Sequence, residues 1–501
     1  MNQSLNYRAP SVDPIFIEVN RLISQSTPDL VFQAFSDLNS LSLSTNADAG
    51  AFSGTTSFNP QATITDWQGL GVVTETSDAD RSDLNEAFGL SAMPVSVYDS
   101  RAYGLGDSTI NVGADVDTLI ASVQSTISAT AQTTAAGSTV EDIDAVAIAA
   151  QQIDGLVDTG VSIGRNGSLV GHATITIDAV ATNIGDPIQD GDDAFARIGV
   201  DADGIEESNG ASISIGQQGD VQGQSIVTGG GIAETINGSA EVQADLDSFG
   251  LELFETSDIS IGARGDISGI SMIGNWNNGS PTDLMKLTAS AVADDALTSA
   301  DIQAFGIHGT DGNPATTRGG EPGDTQPLLT AGALGGDIIG QAFSGLQSIA
   351  STIGDPLLGG SGHSNAVSEI DSTIAGIQNV DLIGGQIGNN MIMGTANGMY
   401  ENIANSVNGD AIAHSDVSAY GIRDEDGDGI IQTSGSIRAI ATLSNTVVSQ
   451  TVNGNAVAVA TGSVVGLSGY SIHMNGSGSF VATAESDVSS IAGSVSGDAT
   501  S

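Results

Sequence analysis

The sequence predicts an all-β fold, a parallel β-helix or β-solenoid with repeats of about 45–50 residues. Two repeated patterns and an unusual composition lead to this prediction. Of the 501 residues, 66 are glycine and only 4% are aromatic. A globular core of this size relies on Phe, Tyr and Trp for buried area, whereas thin stacked layers are filled by small side chains. The composition therefore favours a stack of repeats over one large core.

The first pattern is a glycine followed by isoleucine or leucine, with successive copies 51, 49, 46, 56, 70, 45 and 45 residues apart. In the last seven copies an alanine stands ten residues before the glycine. This constant offset predicts that Gly250 and Gly421 lie at coil corners, with Ala240 and Ala411 pointing inward in register. The glycines are Gly104, Gly155, Gly204, Gly250, Gly306, Gly376, Gly421 and Gly466, and the alanines are Ala145, Ala194, Ala240, Ala296, Ala366, Ala411 and Ala456.

The second pattern follows each of these glycines and reads approximately I-x-I-G-x-x-G-x-I-x-G, as in the segment from Ile213 to Gly223. Alternation of Ile or Val with Ser or Asp predicts a half-buried strand. Glycine at fixed offsets supplies positive φ or a close backbone approach. A glycine-rich disordered chain is the alternative, but its Ile and Val would not be periodic. Asn-Gly pairs predict further corners at Asn237, Asn408 and Asn453.

The pattern divides the chain into an N-terminal segment, residues 1–100, and solenoid repeats, residues 101–501. Residues 308–328 are rich in Gly, Pro and Asp, and we interpret them as an inserted loop that accounts for the 70-residue step.

The N-terminal segment is predicted to be short and mainly helical. An amphipathic stretch runs from Ile15 to Ile23, and Thr27 resembles an N-cap with Pro28 at the first helical position. Residues 80–88 suggest a third helix. The segment is either a cap on the first coil or a docking element for a partner chain.

Charge excludes some functions. The formal net charge is −49, from 60 acidic and 11 basic residues, and Lys286 is the one lysine. Such a chain repels nucleic acid and anionic membranes. The sequence has no cysteine and no apolar run long enough to span a membrane. The N-terminus lacks the pattern of a secretory signal peptide, so we expect an extracellular protein exported by another route, with a halophilic cytosol as the alternative.

The best candidate for chemistry is the acidic segment 424–431, in which Asp424, Asp426 and Asp428 alternate before Gly429. Alternate carboxylates and a glycine turn suit Ca²⁺, which takes six to eight oxygen ligands. The segment resembles the first half of EF-hand and dockerin loops, except that Gly435 stands where their bidentate glutamate belongs. Weaker metal candidates are Asp190, Asp192, Asp201 and Asp203, the last two close to Glu206 and Glu207.

No enzymatic activity is predicted. The histidines are scattered without metal-ligand spacing, and the Gly-x-Gly strings follow the repeat and not a nucleotide-binding motif. A β-helix polysaccharide lyase or hydrolase is the enzymatic alternative, and a cleft with two carboxylates about 5–10 Å apart would favour it.

Residues 101–501 resemble bacterial extracellular β-solenoid proteins, namely adhesins, sheath and surface-layer proteins and secreted calcium-binding repeats. The resemblance implies a structural subunit of a filament, sheath or surface layer. We expect it to assemble head to tail, because the sequence ends within a repeat, and to be aided by Ca²⁺, because the net charge makes copies of the chain repel each other. A monomeric adhesin that binds cell-surface polysaccharide is the alternative. In the head-to-tail arrangement, residues 1–45 of one molecule are expected to cover the coil around Ile491, Val495 and Ala499 of the next.

Overall fold

The protein is a parallel β-solenoid in which each coil contributes one short and two long strands. The computed structural model describes residues 118–127, 129, 145–183, 193–207, 212–236, 238–254, 257–277, 279–310, 327–354, 364–388 and 390–501. It also describes the backbone alone of residues 128, 130–136 and 184 and of the strands that precede residue 113. The described residues contain no helix, and therefore no helix that is long and apolar enough to cross a membrane. The predicted fold class is confirmed.

Three sheets run along the stack, and the chain visits them in the order sheet 1, sheet 2, sheet 3. Sheet 1 contains the short strands Ile15–Glu18, Ser108–Val112, Gly160–Ile163, Ser212–Ile215, Asp258–Ile261, Leu328–Thr330, Asp381–Ile383, Gly429–Thr433 and Tyr470–Met474.

Sheets 2 and 3 contain the long strands. Sheet 2 contains Leu30–Asp37, Leu41–Asp48, Asp66–Gln68, Thr118–Ala136, Ser168–Ile184, Val221–Thr235, Ile267–Ile273, Met285–Ala291, Ile338–Thr352, Met391–Ser406, Ser436–Thr451 and Phe480–Ser494. Sheet 3 contains Glu75–Thr76, Val95–Gly106, Ala145–Val157, Ala194–Glu207, Ala240–Phe254, Ala296–Thr310, Ala366–Gln378, Ala411–Arg423, Ala456–Thr461, Val464–Ser468 and Ala499–Thr500.

The aligned alanines begin successive strands of sheet 3 and pair in register from coil to coil. Ala240 is paired with Ala194 on one side and with Ala296 on the other, and Ala411 lies in the same row. All seven alanines are buried. Their small side chains let sheets 2 and 3 approach each other where the chain passes from one to the other. The prediction for the alanines is confirmed.

The glycines of the first pattern do not lie at corners, and this part of the prediction is wrong. Gly250 and Gly421 lie inside long strands, and their φ angles are outside the left-handed region. A β-carbon on Gly250 would lie 2.6 Å from the carbonyl carbon of Gly269, which belongs to the next sheet 2 strand along the chain, Ile267–Ile273. Glycine is required because the backbones of sheets 2 and 3 touch at this point, which we call the waist.

The waist divides the core into two lobes. The larger lobe lies between sheets 2 and 3 and is rich in alanine, with branched residues such as Ile175 and Ile198. The smaller lobe is enclosed by all three sheets and is filled by Ile213, Val221, Leu251 and their equivalents in other coils.

Corners occur where the second pattern and the Asn-Gly pairs predict them. Gly219 and Gly265 follow strands of sheet 1 with φ of 150° and 146°. Asn408 and Asn453 lie in turns between sheets 2 and 3, and the Asn453 amide donates a 2.8 Å hydrogen bond to the Asn408 side-chain oxygen. Asn237 lies outside the described residues. Side chains at these turns therefore bind the equivalent turn of the next coil.

In the N-terminal segment, strands replace two of the predicted helices. Ile15–Glu18 pairs with Ser108–Val112, and Leu30–Asp37 pairs with Thr118–Ala136, both in parallel. The backbone groups of these segments bond to the neighbouring coil, and this long-range pairing overrides the local helical pattern. The third predicted helix, residues 80–88, lies outside the described residues.

Two insertions leave the stack in register. Across the 70-residue step Ala296 still pairs with Ala366, although most of the predicted loop 308–328 lies outside the described residues. Within sheet 2, a hairpin of Asn275–Asn277 and Ser280–Asp283 separates two strand segments. Its Trp276 ring packs on Phe343, with ring centroids 5.5 Å apart.

Candidate metal centre and groove

Sheet 3 bends at the waist, and the bend brings together side chains that a straight strand would hold apart. Residues three apart normally point to opposite faces of a strand. Here the ring of His308 stacks on Phe305, with centroids 4.7 Å apart, and the Arg423 guanidinium lies 4.2 Å from the centroid of Tyr420. Two columns of side chains thus face each other, and we call the space between them the bend groove. The first column is Asp154, Asp203, Phe249, Phe305, Ala375 and Tyr420, and the second is Val157, Glu206, Glu252, His308, Gln378 and Arg423.

The first end of the bend groove is acidic and buried. Carboxylate oxygens of Asp154, Asp203 and Glu206 all lie within 4.8 Å of one another. Asp154 and Asp203 are in-register neighbours on adjacent strands, and Glu206 follows Asp203 around the bend. Asp203 is 1% exposed, and neither of its carboxylate oxygens has a hydrogen-bond partner.

Burial and mutual repulsion make these acids hard to ionise. Burial raises the pKa of Asp203 well above its ordinary value, and the neighbouring carboxylates of Asp201, Glu252, Asp154 and Glu206 raise it further. Burial, and then the charge of Asp201, raises the pKa of Glu252 to about 8. A cation bound at the acidic end would therefore neutralise the negative charge of these carboxylates.

The middle of the bend groove is aromatic. The rings of His308, Phe249 and Phe305 contact one another, with centroids 4.7 to 5.5 Å apart. The His308 Nδ1 is 3.5 Å from the Glu252 carboxyl oxygen Oε1. Burial lowers the pKa of His308 to about 4, an effect that Glu425 partly opposes. At neutral pH the imidazole is therefore neutral and packs as an aromatic ring.

The other end of the bend groove opens into a polar cavity of about 680 Å³. Tyr420 and Arg423 form one wall, and the Arg423 guanidinium is held by Glu425 at 3.0 Å. Amide, hydroxyl and carboxylate groups surround an aromatic face, which is a combination suited to hydroxyl-rich ligands. The lining comprises Asp301, Ile302, Gln303, Phe305, His308, Gly309, Thr310, Asp371, Thr373, Gln378, Asn379, Tyr420, Arg423 and Glu425.

A row of aspartates runs beside the bend groove on the same sheet. Asp245, Asp301, Asp371 and Asp416 are paired in register across four successive coils. Adjacent parallel strands are about 4.8 Å apart, so each carboxylate faces another of the same charge. Burial raises the pKa of Asp301, and the charges of Asp371 and Asp245 raise it further.

The predicted calcium segment forms an acidic turn. The buried Asp424 carboxylate oxygen Oδ2 accepts hydrogen bonds from the amides of Gly427 and Gly429 at 2.7 and 2.9 Å, while Asp426 and Asp428 are exposed. Among the described residues, the one set of three acidic or histidine ligands within 4.8 Å is Asp154, Asp203 and Glu206. Calcium binding by the 424–431 turn stays a prediction.

Of the weaker metal candidates, Asp203 lies in the acidic end and Asp201 is half-buried beside it, whereas Asp190 and Asp192 lie outside the described residues. Sequence reasoning missed Asp154 because it lies one coil away from Asp203. The repeat did hold a signal: Asp154 and Asp203 each directly precede an aligned glycine, Gly155 and Gly204.

Comparison of the chain with protein families, with characterised proteins and with solved structures finds no match. The class that the coordinates establish is that of parallel β-solenoids.

Proposed function

We propose that this protein is an extracellular surface protein of the structural, adhesin-like class, and that it binds a neutral polysaccharide in the bend groove. The observation that carries the proposal is the polar cavity of about 680 Å³ beside Tyr420 and Arg423. Pockets with an apolar face and a few convergent polar groups are the usual ligand sites of proteins.

The direction of the groove favours an extended ligand. Its two columns are built from residues paired between successive coils, so the groove runs along the stack and across the strands. Gln303, Thr373, Gln378 and Asn379 supply hydrogen-bond donors and acceptors to hydroxyl groups, and the Tyr420 ring supplies an apolar face.

The negative charge of the protein favours neutral polymers over acidic ones as ligands. With a net charge of −49, the chain repels nucleic acids and acidic polysaccharides. A neutral glycan carries no such penalty.

Binding is tested by affinity electrophoresis of the full chain in gels that contain a neutral polysaccharide, with a sulfated one for comparison. We expect the neutral polymer to retard the protein and Tyr420→Ala to abolish the retardation. Trp276→Ala is the matched control, because Trp276 is an aromatic residue on the hairpin of sheet 2. Equal retardation of Tyr420→Ala and the wild-type protein would refute the groove as the site, and shortened glycan products would indicate the polysaccharide enzyme instead.

Self-assembly is the second candidate function, favoured by the aspartate row across four coils. Divalent cations would reduce the repulsion between the aspartate rows of neighbouring molecules. The expectation that residues 1–45 cover the coil around Ile491 of the next molecule stays a prediction. Electron microscopy with Ca²⁺ and with chelator tests assembly: filaments, sheaths or layers are expected in Ca²⁺, and monodisperse particles in both conditions contradict it.

A further inference from the structure

We infer that Asp154, Asp203 and Glu206 form a buried binding site for one divalent cation, which links two successive coils of the solenoid. The site is independent of glycan binding, because it lies at the opposite end of the bend groove from the polar cavity.

The backbone positions these ligands before any ion arrives. Asp154 and Asp203 are fixed opposite each other by the parallel register of Ala145–Val157 and Ala194–Glu207. Glu206 reaches the same side because the strand bends at Gly204, where a β-carbon would lie 2.6 Å from the carbonyl carbon of Gly223 in sheet 2. The close approach that makes glycine obligatory at the waist therefore also brings the third ligand to the site.

The separation of the ligands fits an ion between them. The carboxylate oxygens lie within 4.8 Å of one another. Oxygens on opposite sides of a Ca²⁺ ion lie about 4.8 Å apart, since each binds at roughly 2.4 Å.

Asp203 supplies the independent indication of a ligand. Its side chain is 1% exposed and points into the cluster, and both of its carboxylate oxygens lack a hydrogen-bond partner. Buried polar atoms in folded proteins are normally satisfied, so an acid in this condition among other acids requires a counterion or a proton. A cation bound by all three carboxylates satisfies Asp203 and removes the mutual repulsion of the three side chains.

The chemistry of the ligands selects the ion. Three carboxylates and no nitrogen or sulfur ligand favour a hard cation. Mg²⁺ usually keeps several of its waters, whereas Asp154 is 0% and Glu206 is 9% exposed. The dry site therefore favours Ca²⁺ over Mg²⁺, with bidentate carboxylates raising the number of oxygen ligands.

The experiment uses the full chain after removal of metals with a chelator. Calcium binding is measured by titration calorimetry, and the melting temperature is measured with CaCl₂, with MgCl₂ and with NaCl at matched ionic strength. We expect Asp203→Asn to bind one calcium ion fewer per chain and to lose most of the calcium-induced rise in melting temperature. Asp487→Asn is the control, because it removes one exposed acid on sheet 2 and is expected to behave as the wild-type protein does.

Two results would overturn the site. One is an unchanged calcium stoichiometry and melting increment in Asp203→Asn. The other is an equal rise with NaCl at matched ionic strength, which would mean that Ca²⁺ only screens surface charge. If Asp203→Asn does not give the β-rich circular dichroism of the wild-type protein, Glu206→Gln provides the same comparison with a side chain nearer the surface.

Discussion

Gly250 and Gly269 touch through their backbones across the interior of the solenoid, and a β-carbon on Gly250 would lie 2.6 Å from the carbonyl carbon of Gly269. This contact joins sheets 2 and 3 and separates the two lobes of the core. It also bends sheet 3, so the bend groove and its acidic end follow from the same pair of glycines repeated in successive coils.

The waist should not tolerate a side chain. Gly250→Ala places a β-carbon against the backbones of Gly269 and Gly306, which cannot move independently of their sheets. We expect a loss of about 3 kcal/mol or more in the free energy of unfolding, measured by urea denaturation. Gly160→Ala is the control, because nothing lies within 4 Å of a β-carbon there. Similar unfolding midpoints for the two variants would show that the waist opens without cost.

The aspartate row should destabilise the fold at low salt. Asp301 is flanked by Asp245 and Asp371 in register, so Asp301→Asn removes two repulsions. We expect this variant to be more stable than the wild-type protein by roughly 0.2–1 kcal/mol in low salt, and the gain to fade in high salt. Asp283→Asn is the comparison, since Asp283 lies 3.9 Å from the Lys286 ammonium and its loss removes an attraction. A gain for Asp301→Asn that is independent of salt would contradict the electrostatic explanation.

His308 should make stability depend on pH. Its pKa is lowered by burial from 6.5 to about 4, so between these values the folded state binds fewer protons than the unfolded state does. The contribution of His308 to stability is therefore lost as the pH falls from 6.5 towards 4, by up to about 3 kcal/mol, whereas the raised pKa of Glu252 acts in the opposite direction. His308→Gln should reduce this loss, because glutamine does not titrate and Gln378 occupies the same column in the next coil.

The measurement for His308 is the urea unfolding midpoint at several pH values between 7 and 4. His473→Gln serves as the control, because His473 is exposed and should leave the pH dependence as it is. Parallel pH profiles for His308→Gln and the wild-type protein would mean that His308 does not cause the loss.

Substitutions in the acidic turn distinguish a structural role of Asp424 from calcium binding by Asp426 and Asp428. Asp424 accepts hydrogen bonds from the amides of Gly427 and Gly429, so Asp424→Ala should cost about 1–3 kcal/mol even in chelator. If the turn binds Ca²⁺, the double variant Asp426→Asn and Asp428→Asn should lose stability in Ca²⁺ and remain unchanged in chelator. Thermal melts of both variants with Ca²⁺ and with chelator make the comparison. Identical calcium increments in the double variant and the wild-type protein would exclude the turn as a calcium site.

The fold could be predicted from sequence periodicity because each coil needs small and apolar residues at the same positions. Ala240 and Ala411 could be placed in one buried row from their offset alone, since parallel stacking converts a sequence offset into a spatial register. This reasoning does not extend to Ile15–Glu18 and Leu30–Asp37, because the repeated patterns begin at Gly104 and the local sequence of these two segments favours helix.

The sequence by itself determined the solenoid, the row of alanines and the corners at the second pattern and at Asn408 and Asn453, because these depend on residue spacing and on the small size of glycine and alanine. Only the tertiary structure decided what the waist glycines do and which carboxylates meet. The sequence predicts corners at Gly250 and Gly421 because glycine permits both a turn and a close approach, and sequence does not distinguish the two. Asp154 and Glu206 meet Asp203 through inter-coil register and the bend of one strand, which arise only when the sheets pack against each other.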